Sequence, residues 1–160
     1  MYYDRVALGR EKVTLEYSTT IKENDYLQSL RGSFDRDRVL TYTTVGIHRD
    51  DITLSIEGYP VKRLGSQGQK KSFLTALKFA QFAYLAQQKG VKPLLLLDDI
   101  FDKLDADRVS QIIRIVSEEN FGQVFITDTN RGHIDEILRL HAIDYKIFKV
   151  DQGVINDFKF

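Results

Sequence analysis

The sequence predicts an α/β fold: a layer of parallel strands and helices joined to an antiparallel, β-rich N-terminal subregion. Two observations lead there. Between residues 69 and 138, two short apolar segments, Pro93–Leu97 and Gln123–Thr127, alternate with three stretches of helical periodicity. That order belongs to a parallel sheet whose crossover helices cover both faces. Ile52, Leu54 and Ile56 alternate with polar neighbours ahead of Glu57-Gly58, which marks a half-buried strand entering a hairpin through Tyr59–Lys62.

Taken in order, residues 5–17 read as strand, because Val13, Leu15 and Tyr17 alternate with Thr14 and Glu16. Asn24 is placed to cap a short helix to about Arg31, with Leu27 and Leu30 turned inward. The charged stretch from Arg31 to Arg38 holds Gly32 and Ser33 and reads as a loop, the one candidate boundary. Residues 39–63 read as a β region, since Val39–Thr44 is rich in β-branched residues. From Gln69 to Gln88, Phe73, Leu77, Ala80 and Tyr84 form a helical stripe, with Ala76 and Ala83 beside it. Gly90 ends that helix. Val109, Ile112, Ile113 and Val116 mark the next helix, with Asp105 as its N-cap. Ile134, Ile137 and Leu138 mark a third. Tyr145–Val150 and Val154–Phe160 flank Asp151-Gln152-Gly153 as a terminal hairpin. A length of 160 residues suits a single domain over 1–160, with 1–38 as a lead-in and 39–150 holding the motifs.

Composition narrows the function classes. Lys and Arg number 23, as do Asp and Glu, so the net charge is zero and a basic nucleic-acid arm or polybasic tether is not expected. The absence of cysteine removes disulfides, thiolate zinc sites and a cysteine nucleophile, and fits a reducing compartment. The aliphatic run Leu94–Leu97 is far too short to span a membrane, and the first residues do not resemble a signal peptide.

Two features could carry chemistry. Leu94–Leu97 runs into Asp98 and Asp99, which places two carboxylates at the C-terminal edge of a strand, where open α/β sheets bind ligands. The pair could hold a hydrated Mg²⁺ or orient a water, or one aspartate could cap the next turn. Gly65, Ser66, Gln67, Gly68 and Gln69 lead directly into the long helix. A helix start suits an anion such as phosphate, and Lys70 and Lys71 share that sign; an ordinary cap is the alternative. Asp102-Lys103-Leu104-Asp105 is by itself a helix entry. Lys62, Arg63, Lys70 and Lys71 form a basic cluster that could serve phosphate, DNA or only solvation. His133 and His141 read as ordinary helix residues, and Phe73, Phe79, Phe82 and Tyr84 as core.

In combination these segments resemble a known family. Ser66-Gln67-Gly68-Gln69 is similar to the signature motif of ABC-type ATPases, Leu94–Asp99 to their Walker B strand, and Asp102–Asp105 to their D-loop. Gly46-Ile47-His48-Arg49-Asp50-Asp51 resembles the Gly-Pro-His-Arg-Asp-Asp element of the RecF family of bacterial recombination-repair ATPases, relatives of the SMC proteins. Thr14–Tyr17 resembles the strand before it. The four motifs stand in the family's order over about residues 12–150. Ile47 replaces the usual proline. No Gly-x-x-x-x-Gly-Lys-Ser/Thr occurs, so the chain resembles the C-terminal half of the family's ATPase head, the half with the signature and Walker B.

The resemblance implies roles. Asp98 would hold Mg²⁺ through water and Asp99 would orient the attacking water. Ser66, Gln67, Gly68 and Gln69 would contact ATP bound by a partner subunit. Asp102, Leu104 and Asp105 would line the dimer interface as the D-loop, and His48, Arg49 and Asp50 would brace the signature. Thr127 and Asp128 would occupy the switch position, where many ABC ATPases have histidine. The implied cofactors are ATP and Mg²⁺, both requiring the P-loop half. The implied partners are that N-terminal half, a second copy on ATP binding, DNA and recombination mediators, in bacterial cytoplasm and without a membrane. This chain alone would not turn ATP over. Three rivals are a non-catalytic docking module for partners or DNA, a head fragment of another SMC-like ATPase, and a receiver-type signalling domain. The last lacks the additional strand-borne Asp between Asp99 and Thr127 that its chemistry needs.

Overall fold

The computed structural model describes residues 1–21, 25–118, 121–129 and 145–158. In chain order these form α1 (Tyr2–Val6), β1 (Val13–Ser18), α2 (Tyr26–Leu40), a 3₁₀ turn (Ile47–Arg49), β2 (Asp51–Ile56), β3 (Tyr59–Pro60), α3 (Val61–Leu64), α4 (Gln67–Lys89), β4 (Leu95–Leu97), α5 (Ala106–Glu118), β5 (Val124–Ile126), β6 (Ile147–Asp151) and β7 (Val154–Phe158). The mixture of helices with parallel and antiparallel pairs is the expected α/β class. Residue contacts divide it into two compact units: Met1–Arg10 with Gln67–Phe160, and Glu11–Ser66.

The first unit is built on β4 and β5, a parallel pair with Leu95 opposite Val124 and Leu97 opposite Ile126. Its core joins Val6, Phe79, Phe82, Leu95, Leu97, Ile100, Phe101, Phe121 and the apolar face of α5. Val109, Ile112, Ile113 and Ile115 of α5 are each at most 1% exposed, which follows from the helical spacing of apolar residues. On α4 the stripe differs from the expected one. The buried residues are Ser72, Phe73, Thr75, Ala76, Phe79 and Phe82, whereas Tyr84 is 62% exposed. Two neighbouring stripes of this helix are apolar, and ring contacts select one: Tyr3 on Phe73, Tyr2 on Phe79, and Phe121 on both Phe79 and Phe82. Gly90 ends α4 in the left-handed region at φ 65°, and its N–H donates to the Ala86 carbonyl.

The expectation that both sheet faces are covered does not hold among the described residues. Leu95 and Leu97 are buried, but Leu96 and its partner Phe125 stand 61% and 46% exposed on the other face. The terminal hairpin forms as expected, with β6 antiparallel to β7 around Gln152-Gly153. The third expected helix, with Ile134, Ile137 and Leu138, and with His133 and His141, lies outside the described residues.

The second unit pairs β1 antiparallel to β2, with Val13 opposite Ile56 and Tyr17 opposite Ile52, and β3 follows β2. The Glu57-Gly58 turn has φ of 50° and 79°, the mirror-image turn in which glycine carries least strain. Four expectations are corrected here. Residues 5–12 are not strand, because α1 occupies Tyr2–Val6 and a turn follows. The supposed loop Arg31–Arg38 lies inside α2, so no boundary falls there. Asp25 caps that helix by accepting from the Gln28 N–H at 2.8 Å, while Asn24 lies outside the described residues. Its charged side chains are helix-compatible, and Gly32 alone is a penalty of about 1 kcal/mol. Leu27 is exposed rather than inward, and Leu30 is half-buried. Lastly, Val39 and Leu40 finish the helix instead of starting a strand, because Asp37 captures both the N–H and the hydroxyl of Thr44 and folds the chain back.

Candidate functional site

The carboxylate pair sits where β4 ends. The strand delivers Asp98 and Asp99 to an exposed edge beside the end of β5. The ladder continues one step past each strand: the Thr127 N–H donates to the Leu97 carbonyl at 3.0 Å, and the Asp99 N–H donates to the Thr127 carbonyl at 3.1 Å. Thr127 does more than extend the ladder. Its hydroxyl donates to Oδ1 of Asp98 and accepts from the Asp99 N–H at 3.0 Å. Asp99 itself has φ 46°, a left-handed conformation that costs a non-glycine residue about 1–2 kcal/mol and that Asp tolerates better than most.

The start of α4 contributes a cation. The Lys71 ammonium donates to the main-chain carbonyl of Asp99 at 2.7 Å. It also lies 3.4 Å from Oδ2 of Asp99 and 3.7 Å from Oδ2 of Asp102. Lys103 lies 3.5 Å from the other oxygen of Asp102. Lys71 is therefore engaged by the chain's own oxygens and is not free to join the basic cluster suggested by the sequence. A cleft beside the pair is lined by Lys71, Leu74, Thr75, Lys78, Asp98 and Asp99.

Asp105 is the N-cap of α5, as expected: its carboxylate accepts from the Arg108 N–H at 2.8 Å. It also meets the Arg108 guanidinium at 3.3 Å, and that guanidinium donates to the Ser72 hydroxyl at 2.9 Å. Ser72 is fully buried. Leu104 packs against the core. The Ser72–Arg108–Asp105 chain escaped the sequence reading, because a polar residue inside an apolar stripe gives no sign of its partner. In the sequence Lys71 shows only as positive charge near the helix start.

In the other unit, Gly65 comes close to its own chain. A Cβ there would lie 2.7 Å from the Val61 carbonyl, so the small residue serves a tight turn after α3. Ser66 is exposed there; in the first unit Gln67 is exposed as well, and Gly68 and Gln69 are half-buried. His48 meets the Thr43 hydroxyl through Nε2 at 3.0 Å. Arg49 donates to the Thr43 carbonyl at 3.3 Å and lies over the Tyr42 ring at 4.9 Å. Asp50 accepts from the Tyr17 hydroxyl. That bond, together with the Thr19 hydroxyl, holds its pKa below the ordinary carboxylate value. These contacts tie His48, Arg49 and Asp50 to their own unit. Asp128 is half-buried beyond β5.

The donor set can be weighed against Mg²⁺. Among the described residues no group of three or more His, Cys, Asp or Glu side chains is gathered for a metal. Two adjacent exposed carboxylates suit an ion that keeps most of its water and shares the rest of its coordination with phosphate oxygens. Asp98 fits that need, since one oxygen is anchored by Thr127 and the carboxylate has a second.

No family model matches the chain. Curated relatives do. The chain is 48% identical over 156 residues to the DNA replication and repair protein RecF of Bacteroides thetaiotaomicron, and 50% identical over 154 residues to that of Parabacteroides distasonis. The chain belongs to the RecF family. These alignments cover 98% and 96% of the chain but only 42% of either relative. Solved structures agree. The recombination mediator protein RecF-ATPrS in the RecFOR pathway matches with a TM-score of 0.69 at 26% identity, over 99% of this chain and 43% of that one. RecF-ATP, at 24% identity and a TM-score of 0.66, shares the fold. The family resemblance carried by the four motifs is thus borne out. No helix among the described residues is long and apolar enough to cross a membrane.

Proposed function

We propose that this chain is the C-terminal part of a RecF-like protein that binds and hydrolyses ATP in DNA recombinational repair and replication. The observation that carries this reading is the meeting of three motifs in one unit: the Asp98-Asp99 strand end, the Asp102–Asp105 turn and the first turns of α4. Phosphoryl transfer asks mainly for positioning and charge stabilisation, which such a constellation can supply.

In this reading Asp99 orients a water toward the γ-phosphorus. The new P–O bond forms as the bond to ADP breaks. Asp98 would hold Mg²⁺ through water, and the ion when bound would offset phosphate charge. Ser66, Gln67, Gly68 and Gln69 contact ATP held by a second copy, so ATP joins a dimer and hydrolysis releases it. Asp102, Leu104 and Asp105 line that interface. His48, Arg49 and Asp50 brace the signature, and Thr127 and Asp128 take the switch position. The exposed Leu96 and Phe125 face would receive the N-terminal portion, which supplies the P-loop. DNA and recombination mediators are partners of the whole protein, in bacterial cytoplasm. Zero net charge makes this segment a poor candidate for the main DNA grip.

The test is ATP turnover by the full-length protein with Asp99→Asn. Turnover is expected to vanish while ATP still binds, and this chain alone is expected to be inactive. Unchanged turnover in D99N, or appreciable hydrolysis by the pure segment, would overturn the proposal.

A further inference from the structure

We propose that Lys71 is a positioning residue for Asp99, a clamp through which the signature helix α4 sets the direction of the candidate hydrolytic carboxylate; this rests on the reading of Asp99 above. Asp99 sits on a left-handed backbone, φ 46°, that its neighbours must hold. Its N–H is fixed by Thr127 at the end of β5. Its carbonyl is fixed from the opposite element by Lys71 at 2.7 Å. With both flanking peptide groups pinned, the side chain leaves the backbone in one direction.

The ammonium suits the task. It has three donors, and three protein oxygens surround it: the Asp99 carbonyl, Oδ2 of Asp99 at 3.4 Å and Oδ2 of Asp102 at 3.7 Å. A surface ion pair would touch carboxylates alone and be worth under about 1 kcal/mol. The shorter contact to a main-chain carbonyl is different in kind, because it restrains the backbone that aims the carboxylate. The adjacent residue fixes the helix in place as well. Ser72 is buried and bonded to Arg108, which pairs with Asp105, so two consecutive residues of α4 grip the turn at both ends. A shift or rotation of α4 would therefore move Asp99. As α4 begins with the signature, the state of that segment is transmitted to the carboxylate pair of the same subunit.

The experiment compares Lys71→Met, Lys71→Arg and Asp99→Asn in the full-length protein. It reads kcat and KM for ATP, and hydrogen exchange of the peptide spanning residues 98–102. In K71M, kcat should fall about ten- to a hundred-fold, as expected of a misplaced catalytic group, with KM changed less than about twofold. Exchange over 98–102 should quicken while the β1–β2 peptides stay unchanged. K71R, which can still reach a carbonyl and two carboxylates, should restore most of kcat. If K71M does not fold, Lys71→Gln serves in its place. A K71M protein with wild-type kcat and exchange overturns the proposal, as does lost kcat with unaltered exchange. If D99N keeps turnover while K71M still quickens exchange, the clamp stands and the hydrolytic role of Asp99 falls.

Discussion

The Thr127 hydroxyl donates to the Asp98 carboxylate across the ends of two parallel strands, while accepting from the Asp99 N–H. One hydroxyl thus holds the Asp98 carboxylate and the Asp99 main chain together, and it does so because β4 and β5 pair in register up to Leu97 and Ile126.

Thr127→Val keeps the shape and removes the hydroxyl. Asp98 is exposed, so the stability cost should stay near the ~1 kcal/mol of one hydrogen bond. The effect on function should be larger. In the full-length protein, the Mg²⁺ concentration for half-maximal ATP turnover should rise, since Asp98 loses its anchor. Thr127→Ser should behave like wild type. A valine variant with unaltered metal dependence would show that the strand ends are ordered by the ladder alone.

Asp105 is both a helix cap and a candidate interface residue, and two substitutions separate these roles. Asp105→Ala removes the cap and the Arg108 ion pair, and should lower stability in urea unfolding by about 1 kcal/mol. Asp105→Asn keeps a capping oxygen and should unfold near wild type. If ATP-dependent dimerisation is nevertheless weakened in D105N, the charge acts at the interface. Equal dimerisation in D105N and wild type would confine Asp105 to capping.

Much of this was legible in the sequence. Apolar runs ending in charge marked β4, regular spacing marked α5, and Asp105 announced its cap. Motif order is what singles out the candidate site residues, since Asp98 and Asp99 alone fit either a metal or a cap. Two kinds of information were not legible. Local propensity misread α2, because Gly32 and a dense run of charge resemble a loop when Asp25 and the Asp37–Thr44 bonds are unseen. Partners across sequence distance were invisible too. Lys71 lies 28 residues from Asp99, and only the packing of α4 on the β4 edge brings them together.

The acid response follows from two carboxylates in the second unit. The Thr44 hydroxyl, with lesser help from its N–H and from Ser33, holds the Asp37 pKa below its ordinary 3.8. The Tyr17 hydroxyl does the same for Asp50. A depressed folded-state pKa favours folding above the unfolded value and loses that effect as pH falls through the folded one. The stability of this unit should therefore be flat at neutral pH and decline below about pH 4. Asp37→Asn should flatten that decline. Tyr17→Phe should return the Asp50 titration, followed by NMR, toward 3.8. A titration unmoved by Y17F would mean that the hydroxyl is not the cause.

The choice between two apolar stripes on α4 can be tested directly. Phe79 is fully buried between Tyr2 and Phe121, whereas Tyr84 is 62% exposed. Phe79→Ala should cost about 3–5 kcal/mol, the combined loss of transfer free energy and the cavity left behind. That is a large share of the ~5–15 kcal/mol typical of a whole domain, so the variant should be barely folded at 37 °C. Tyr84→Ala should change stability by no more than about 0.5 kcal/mol. Urea unfolding of both variants beside the parent chain supplies the comparison. Were Y84A the costly one, the helix would be packing through the stripe of Phe73, Leu77, Ala80 and Tyr84, rotated from the observed face. Lys71 and Ser72 would then no longer point at Asp99 and Arg108, and the proposed clamp would fail with them.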